Sequence, residues 1–379
     1  MKSITFLNNV GSLQTIQAAG SLLSPIVDNR LVPYPWIMMF VVTRRCNSRC
    51  QMCSIWQEKD SHHLSLEQIN HILTSNDFSF IRSLILTGGE PTLRPDLPQL
   101  FELTIQGMPN LENVNLATNG LNTRLTIRYV AEMLDILDRR TNKIQTLTLQ
   151  LSLDGIGAIH DAVRGIKGFF KKTIETLDKL VILQQTSPKL QIRLSSVLMP
   201  DNIHQAGALR ELARARGIRI HFSPVILSGD YYNNLHGMAG LSFNINSAQG
   251  HAKKFFEKLG IEDQSSLRFY YQDMVRMIDG NERSRRCMMG FYGCVLEHDG
   301  NLYPCLTCES ISFGSLLTDS FDEIWFKGNS DSIRKQLRAA CCPACTSMCY
   351  TPAVNALETA ELIWRKLSRT RNYSASIGE

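Results

Sequence analysis

The chain has 379 residues, with 40 Lys and Arg against 35 Asp and Glu, 44% hydrophobic content and eleven cysteines. That length suits two or three domains, or one barrel with an appendage, and the ordinary composition excludes wholesale disorder. A net charge of +5 without a dense basic tract gives no support to nucleic-acid binding, and no apolar run reaches the ~18 residues of a membrane span.

The N-terminus lacks a basic region followed by an apolar stretch and a small-residue cleavage site, so a cytoplasmic protein is expected. Residues 1–35 read as a helical extension, with the apolar, Ser/Gln-rich stretch 9–27 covering one end of the core. Apolar β-type runs and amphipathic segments then alternate. Strands are predicted at 37–43, 82–87, 112–117, 146–153, 191–198 and 218–223, and helices near 65–75, 96–107, 124–138, 168–185 and 203–216. Ser65 with Gln68 makes a capping box for the first helix. Such alternation predicts parallel strands joined by right-handed crossovers, an α/β fold in the form of a partial (β/α)6 TIM-like barrel or an open sheet. Residues 227–286 break the pattern and read as a linker with bridging helices near 247–259 and 266–278. A cysteine-rich α+β module at 287–350 follows, and 351–379 reads as a helix (353–367) and a polar tail.

Reactive residues of such folds gather at the C-terminal ends of strands. Cys46-Asn47-Ser48-Arg49-Cys50-Gln51-Met52-Cys53 follows the first strand, Gly88-Gly89-Glu90-Pro91 ends the second, Thr118-Asn119-Gly120 the third and Asp154-Gly155 the fourth. Four signatures on consecutive strand ends converge on one rim. An odd number of cysteines without an export signal argues against a disulfide framework, and clustered cysteines in a reducing compartment point to metal. Three thiolates spaced C-x3-C-x2-C can hold three irons of a cubane and leave the fourth open to a small chelating molecule. A three-cysteine zinc site leaves the other strand-end motifs unexplained.

Through these motifs the sequence resembles the radical S-adenosylmethionine (radical SAM) superfamily over roughly residues 36–224, and the core barrel is drawn at 36–226. The resemblance implies that Cys46, Cys50 and Cys53 bind a [4Fe–4S] cluster coordinated with S-adenosylmethionine. It implies that backbone groups of Gly88 and Gly89, together with Glu90, meet the methionyl ammonium, the glycines permitting close backbone approach. Thr118 and Ser152 match strand-end cofactor or substrate positions, and Ser152 is assigned to cofactor. Arg193 matches a basic position that meets a carboxylate or phosphate, and Phe222 or Ser223 is a candidate lining of the adenine pocket. Each has a plainer alternative: a turn at 118–120, a helix cap at Ser152, a surface ion pair at Arg193. His160-Asp161-x-x-Arg164-Gly165 resembles a stretch of the family and reads mainly as loop architecture, with contact of Arg164 to the cofactor or substrate as the alternative. Where many relatives have an aromatic residue before the third cysteine, this chain has Met52, which can still pack against adenine.

Cys287 and Cys305 flank an apolar hairpin with an Asp299-Gly300 turn, and Cys342-Pro343-Ala344-Cys345 follows. This resembles the SPASM/twitch extension of radical SAM enzymes. The resemblance implies at least one auxiliary [4Fe–4S] cluster on Cys287, Cys305, Cys342 and Cys345. Cys294, Cys308, Cys341 and Cys349 remain as alternative ligands or part of a second cluster, and a zinc knuckle stays open.

The implied activity is that of a radical SAM oxidoreductase. Reductive cleavage of S-adenosylmethionine yields a 5′-deoxyadenosyl radical that abstracts hydrogen, and an auxiliary cluster accepts the substrate's electron. Flavodoxin or ferredoxin is the implied type of reductase partner. Leu306 stands where sulfatase maturases place an Asp, which argues against that activity. The short stretch before the first strand is too small for a leader-binding domain, so a small-metabolite substrate is expected. Modification of a ribosomal peptide is the alternative, and a non-catalytic iron–sulfur redox protein is a rival of a different class.

Overall fold

The computed structural model describes residues 32–58, 62–140, 143–235 and, with short breaks, 243–348. Most of the N-terminal extension and the helix expected at 353–367 lie outside the described residues, as do Cys341, Cys342 and Cys349.

Six parallel strands follow the alternation: β1 (Ile37–Thr43), β2 (Ser83–Gly88), β3 (Asn113–Thr118), β4 (Thr146–Ser152), β5 (Leu190–Leu198) and β6 (Arg219–Pro224). The helices of the barrel half are α1 (Leu66–Ser75), α2 (Leu97–Gly107), α3 (Thr123–Arg139), α4 (Ala158–Arg164), α5 (Phe169–Thr186) and α6 (Ala206–Ala215). The Ser65–Gln68 capping box forms. The short helix α4 falls in the stretch read as loop: seven residues carry too little periodicity to announce themselves.

The sheet does not close. Its order is β6-β5-β4-β3-β2-β1-β7-β8-β9, where β7 (Gly293–Leu296), β8 (Asn301–Tyr303) and β9 (Gly314–Ser315) belong to the cysteine-rich segment. β7 runs parallel to β1, with Met38 opposite Cys294, and the hairpin then continues antiparallel. β1 is therefore an interior strand, and all seven of its residues are buried. A strand enclosed in this way reads as a continuous apolar run, Ile-Met-Met-Phe-Val-Val-Thr, without alternation.

Two packed helices, α7 (Gln249–Glu262) and α8 (Leu267–Ile278), form the bridging segment, and α9 (Phe321–Phe326) and α10 (Ser330–Ala340) complete the module. A Ser320–Glu323 capping box starts α9. Trp325 is fully buried, and the guanidinium of Arg334 lies 4.6 Å from its ring centroid while donating to the Gly290 and Trp325 carbonyls. These contacts hold the helices against the start of the hairpin.

Candidate active site

At the end of β1 the register with β2 shifts between Val41 and Thr43, a bulge that turns the chain toward the cysteine loop. The Gly-Gly-Glu-Pro segment folds back onto that turn. Gly89 N donates to Thr43 O at 2.8 Å, and Glu90 N to Arg45 O at 2.8 Å. A Cβ on Gly88 would stand 2.1 Å from Thr43 O, and one on Gly89 2.3 Å from Arg45 O. The carbonyls of residues 43–45 by themselves require glycine at both positions. The Gly88 carbonyl accepts from the Tyr231 hydroxyl at 2.7 Å, and its second lone pair leaves room for another donor.

Glu90 is buried and turned inward. Its carboxylate accepts from Thr92 N and Oγ1, from Thr118 Oγ1 at 2.8 Å and from Asn119 N at 2.7 Å. Burial raises its pKa against the pull of those donors. Thr118 is likewise buried. The pair works as a clamp between the ends of β2 and β3. Ser152 ends β4 on the same rim, opposite Ser195 of β5.

The cysteine loop is gripped from two sides. On one side Asn119 Nδ2 donates to Asn47 Oδ1 at 2.8 Å and to Ser48 Oγ at 3.0 Å. On the other, Arg49 N and Gln51 N donate to the carbonyls of Arg164 and Val163 at 3.0 and 2.9 Å. Arg164 Nη1 reaches Cys50 Sγ at 3.6 Å while its Nε meets Asp154 Oδ2 at 2.5 Å. Asp154 Oδ1 also takes Val197 N at 2.8 Å. Burial works against the charge of Arg164, but Asp154 and Cys50 more than offset it. Thus the His-Asp-x-x-Arg-Gly stretch, expected as loop, is helix α4 with its Gly165 cap, and it brings a cation to Cys50 Sγ. Arg164 carries the alternative the sequence offered, a contact at the site, whereas Asn47, Ser48 and Asn119 have no side-chain role in the sequence reading. Each sits within or beside a recognised motif, the one signal that could have found them.

Met52 is buried with Cys50, Val163, Met199 and Val225 in a small apolar cluster beside the loop. The segment read as linker braces it: Asn234 Nδ2 donates to Met52 O at 2.8 Å, and Ser54 N to Tyr232 O at 2.8 Å. Phe222 points away from any such pocket, packing edge-on against Phe255 of α7 at 5.0 Å. The reason is strand alternation, which turns His221 to the lumen and Phe222 to the helices.

Cys46, Cys50 and Cys53 lie close enough to interact electrostatically. Burial pushes the Cys46 thiol up to about 11 and Cys53 up to about 12. Three thiolates in so dry a place need a cationic centre among them, and this donor set fits an iron–sulfur cluster. In the C-terminal module Cys345 interacts with Cys287, and Thr307 Oγ1 lies 3.4 Å from Cys305 Sγ and 3.9 Å from Cys345 Sγ. Three of the four expected auxiliary ligands therefore converge, the fourth, Cys342, being outside the described residues. Cys294 is a core thiol of β7, fully buried against Ile37 O. Cys308 is disulfide-bonded and fully buried.

A cavity of about 820 Å3 occupies the concave face of the sheet. All six barrel strands line it, among them through Met39, Thr87, Asn115, Gln150, Arg193 and His221, and so do Leu306, Ser347 and Met348 of the cysteine-rich module. Arg193 is the fourth residue of β5 and faces Gln150 and Arg219 in register, well short of the cysteine rim. A smaller cavity of about 460 Å3 is lined by Gln106, Arg139, Arg140 and Lys143 and by no cysteine among the described residues.

A family model of the radical SAM superfamily matches residues 40–213, and one of the SPASM iron–sulfur cluster-binding domain matches residues 287–350. The chain is a radical SAM enzyme with a SPASM domain. Its radical SAM domain binds a [4Fe–4S] cluster with S-adenosylmethionine, and its SPASM domain binds auxiliary iron–sulfur clusters. It is 24% identical to the sporulation killing factor maturation protein SkfB of Bacillus subtilis over 75% of this chain and 63% of that protein. It is 24% identical to the mycofactocin maturase MftC of Mycolicibacterium smegmatis over 82% of this chain and 75% of that one. The AdoMet-dependent heme synthase of Methanosarcina barkeri is 24% identical over 86% of this chain and 95% of its own length. Among solved structures, Streptococcus suis SuiB bound to S-adenosylmethionine superposes with a TM-score of 0.57 at 14% identity, covering 88% of this chain and 76% of SuiB. At these identities the structural likeness shows the shared fold. No helix among the described residues is long and apolar enough to cross a membrane.

Proposed function

We propose that this radical SAM enzyme is an oxidoreductase for a small metabolite that occupies the lumen cavity and passes an electron to an auxiliary cluster. One observation carries the reading: a single cavity is bounded both by the barrel strands and by Leu306, Ser347 and Met348, which adjoin Cys305 and Cys345 in sequence. When bound, the cluster and S-adenosylmethionine supply a radical able to take hydrogen from an unactivated carbon. The chain's own residues do the rest. Cys46, Cys50 and Cys53 hold the cluster, and Asn119 and Arg164 fix the loop that carries them. Gly88, Gly89, Glu90, Thr118 and Ser152 shape the rim on which S-adenosylmethionine rests. Met52 and its apolar neighbours keep water from that rim. Cys287, Cys305, Cys342 and Cys345 hold the acceptor cluster. The likeness to the AdoMet-dependent heme synthase supports a non-peptide substrate. The reductase is of the flavodoxin or ferredoxin type, and the compartment is the cytoplasm.

The test is anaerobic reconstitution followed by reduction with dithionite in the presence of S-adenosylmethionine. The chain forms 5′-deoxyadenosine, and Cys46→Ala, Cys50→Ala and Cys53→Ala each abolish it. Normal cleavage by any of these variants overturns the barrel assignment. Peptide modification is the second reading, favoured by the likeness to two proteins named as a maturation protein and a maturase. A precursor-peptide gene beside this one, whose product is modified by the reconstituted enzyme, would decide for it.

A further inference from the structure

We infer that the floor of the lumen is an oxyanion site, where Arg193 and Arg219 together hold a carboxylate or phosphate group of the substrate. The inference rests on the reading of the lumen as the substrate cavity. Arg193 and Arg219 are direct neighbours across β5 and β6, and both line the cavity. Arg193 donates to Gln191 Oε1 at 3.3 Å, and among the described residues neither guanidinium forms an ion pair with a carboxylate. Asp263 lines the same cavity, but its Oδ1 is taken by Ser265 N at 2.7 Å and by the Ser265 hydroxyl. Two adjacent cations repel each other, and a bidentate oxyanion between them relieves that repulsion while matching the guanidinium forks.

The neighbours refine the ligand. Gln150 stands next to Arg193 in register, so an amide and two guanidiniums make a row across three strands. Asn115 Nδ2 faces Gln150 Oε1 at 3.5 Å, while its Oδ1 is buried without a hydrogen-bond partner. A buried acceptor of that kind asks for a donor, so the anionic molecule carries an O–H or N–H near its acidic group. His221 lines the same wall. Burial and the charge of Arg193 hold it neutral, so it adds hydrogen bonding without charge.

The experiment is phenylglyoxal modification of the reconstituted full chain, mapped residue by residue, with inorganic phosphate or succinate as competing probe. The expected result is a several-fold slowing at Arg193 and Arg219 together, with no change at Arg214, whose side chain is 82% exposed. Protection by phosphate alone assigns a phosphate site, and protection by succinate alone a carboxylate site. In an Arg219→Gln chain, protection at Arg193 should be lost, because one guanidinium no longer forms the pair. Absence of protection by both probes, or equal protection at Arg214, overturns the inference. S-adenosylmethionine cleavage by the same wild-type preparation is measured alongside. Cleavage without protection refutes the oxyanion site alone, whereas failure to cleave refutes the radical SAM assignment and leaves the arginine result to be read by itself.

Discussion

Arg164 and Asp154 are the ion pair on which the cysteine loop leans, with side-chain exposures of 10% and 0%. Removing one partner strands the other charge in the interior, which typically costs about 3–5 kcal/mol. Arg164→Met should therefore destabilise the chain by that order in urea titration, and Arg164→Lys by less. Pairing Arg164→Met with Asp154→Asn should recover part of the loss. His160, fully buried beside them, accepts from Asp154 N through Nδ1 at 3.1 Å. Burial, and then the charge of Arg164, pushes its pKa down to about 3 from 6.5. The unfolded chain takes up that proton first as pH falls below about 6.5, so stability declines by up to about 1.4 kcal/mol per pH unit toward pH 3. Urea midpoints at pH 7 and pH 5.5 check the sign: His160→Gln should lose less than wild type over that interval. Cys294 supplies the opposite kind of control. As a core thiol it can become Val with iron per chain unchanged and stability altered by about 1 kcal/mol or less.

At the scale of elements, the decisive junction is between β1 and the end of β2. Residues 43–45 and 88–90 pack backbone to backbone, so side-chain substitution there acts on the cysteine loop rather than on the strand core. Gly89→Ala places a methyl 2.3 Å from Arg45 O, and Gly88 combines its clash with a φ of +147°. Strain of this kind costs about 1–3 kcal/mol where the structure resists it. The expected outcome for Gly89→Ala is a folded chain by circular dichroism that retains only the auxiliary iron after reconstitution. Full iron content in that variant would show that the loop tolerates the displacement. The complementary loss is Cys305→Ala with Cys345→Ala, which should remove about four irons per chain, those of one cubane.

For the whole molecule, the pairing of β7 with β1 makes one sheet of what composition divides into two modules. Arg44, two residues before Cys46, reinforces the join. It pairs with Glu58 at 3.0 Å and, across to the module, with Glu297 at 3.3 Å and Glu309 at 2.5 Å. A chain ending at residue 235 would leave β1 with an open, flat, apolar edge, the feature that drives edge-to-edge association. We expect that fragment to aggregate on expression while the full chain remains monodisperse by light scattering. The same continuity explains why the lumen cavity is shared: the strand carrying the cysteine loop also pairs with the cysteine-rich module.

Local features were legible wherever the chain's own neighbours decide them. Cys46, Cys50 and Cys53 lie within one loop, so their spacing alone announces a shared metal centre. The strands and long helices follow from apolar period, and the Ser65–Gln68 cap from residues three apart. Tertiary structure decided what pairs distant residues. Composition could not show that Cys294 is core while Cys287, Cys305 and Cys345 converge, because burial depends on β1 lying beside β7. Nor could it turn Glu90 and Thr118 toward each other, or set Arg193 beside Arg219 at the floor of the lumen. A strand fixes which residues share a face, but register with its neighbours, chosen by the packing of the whole sheet, selects which of them meet.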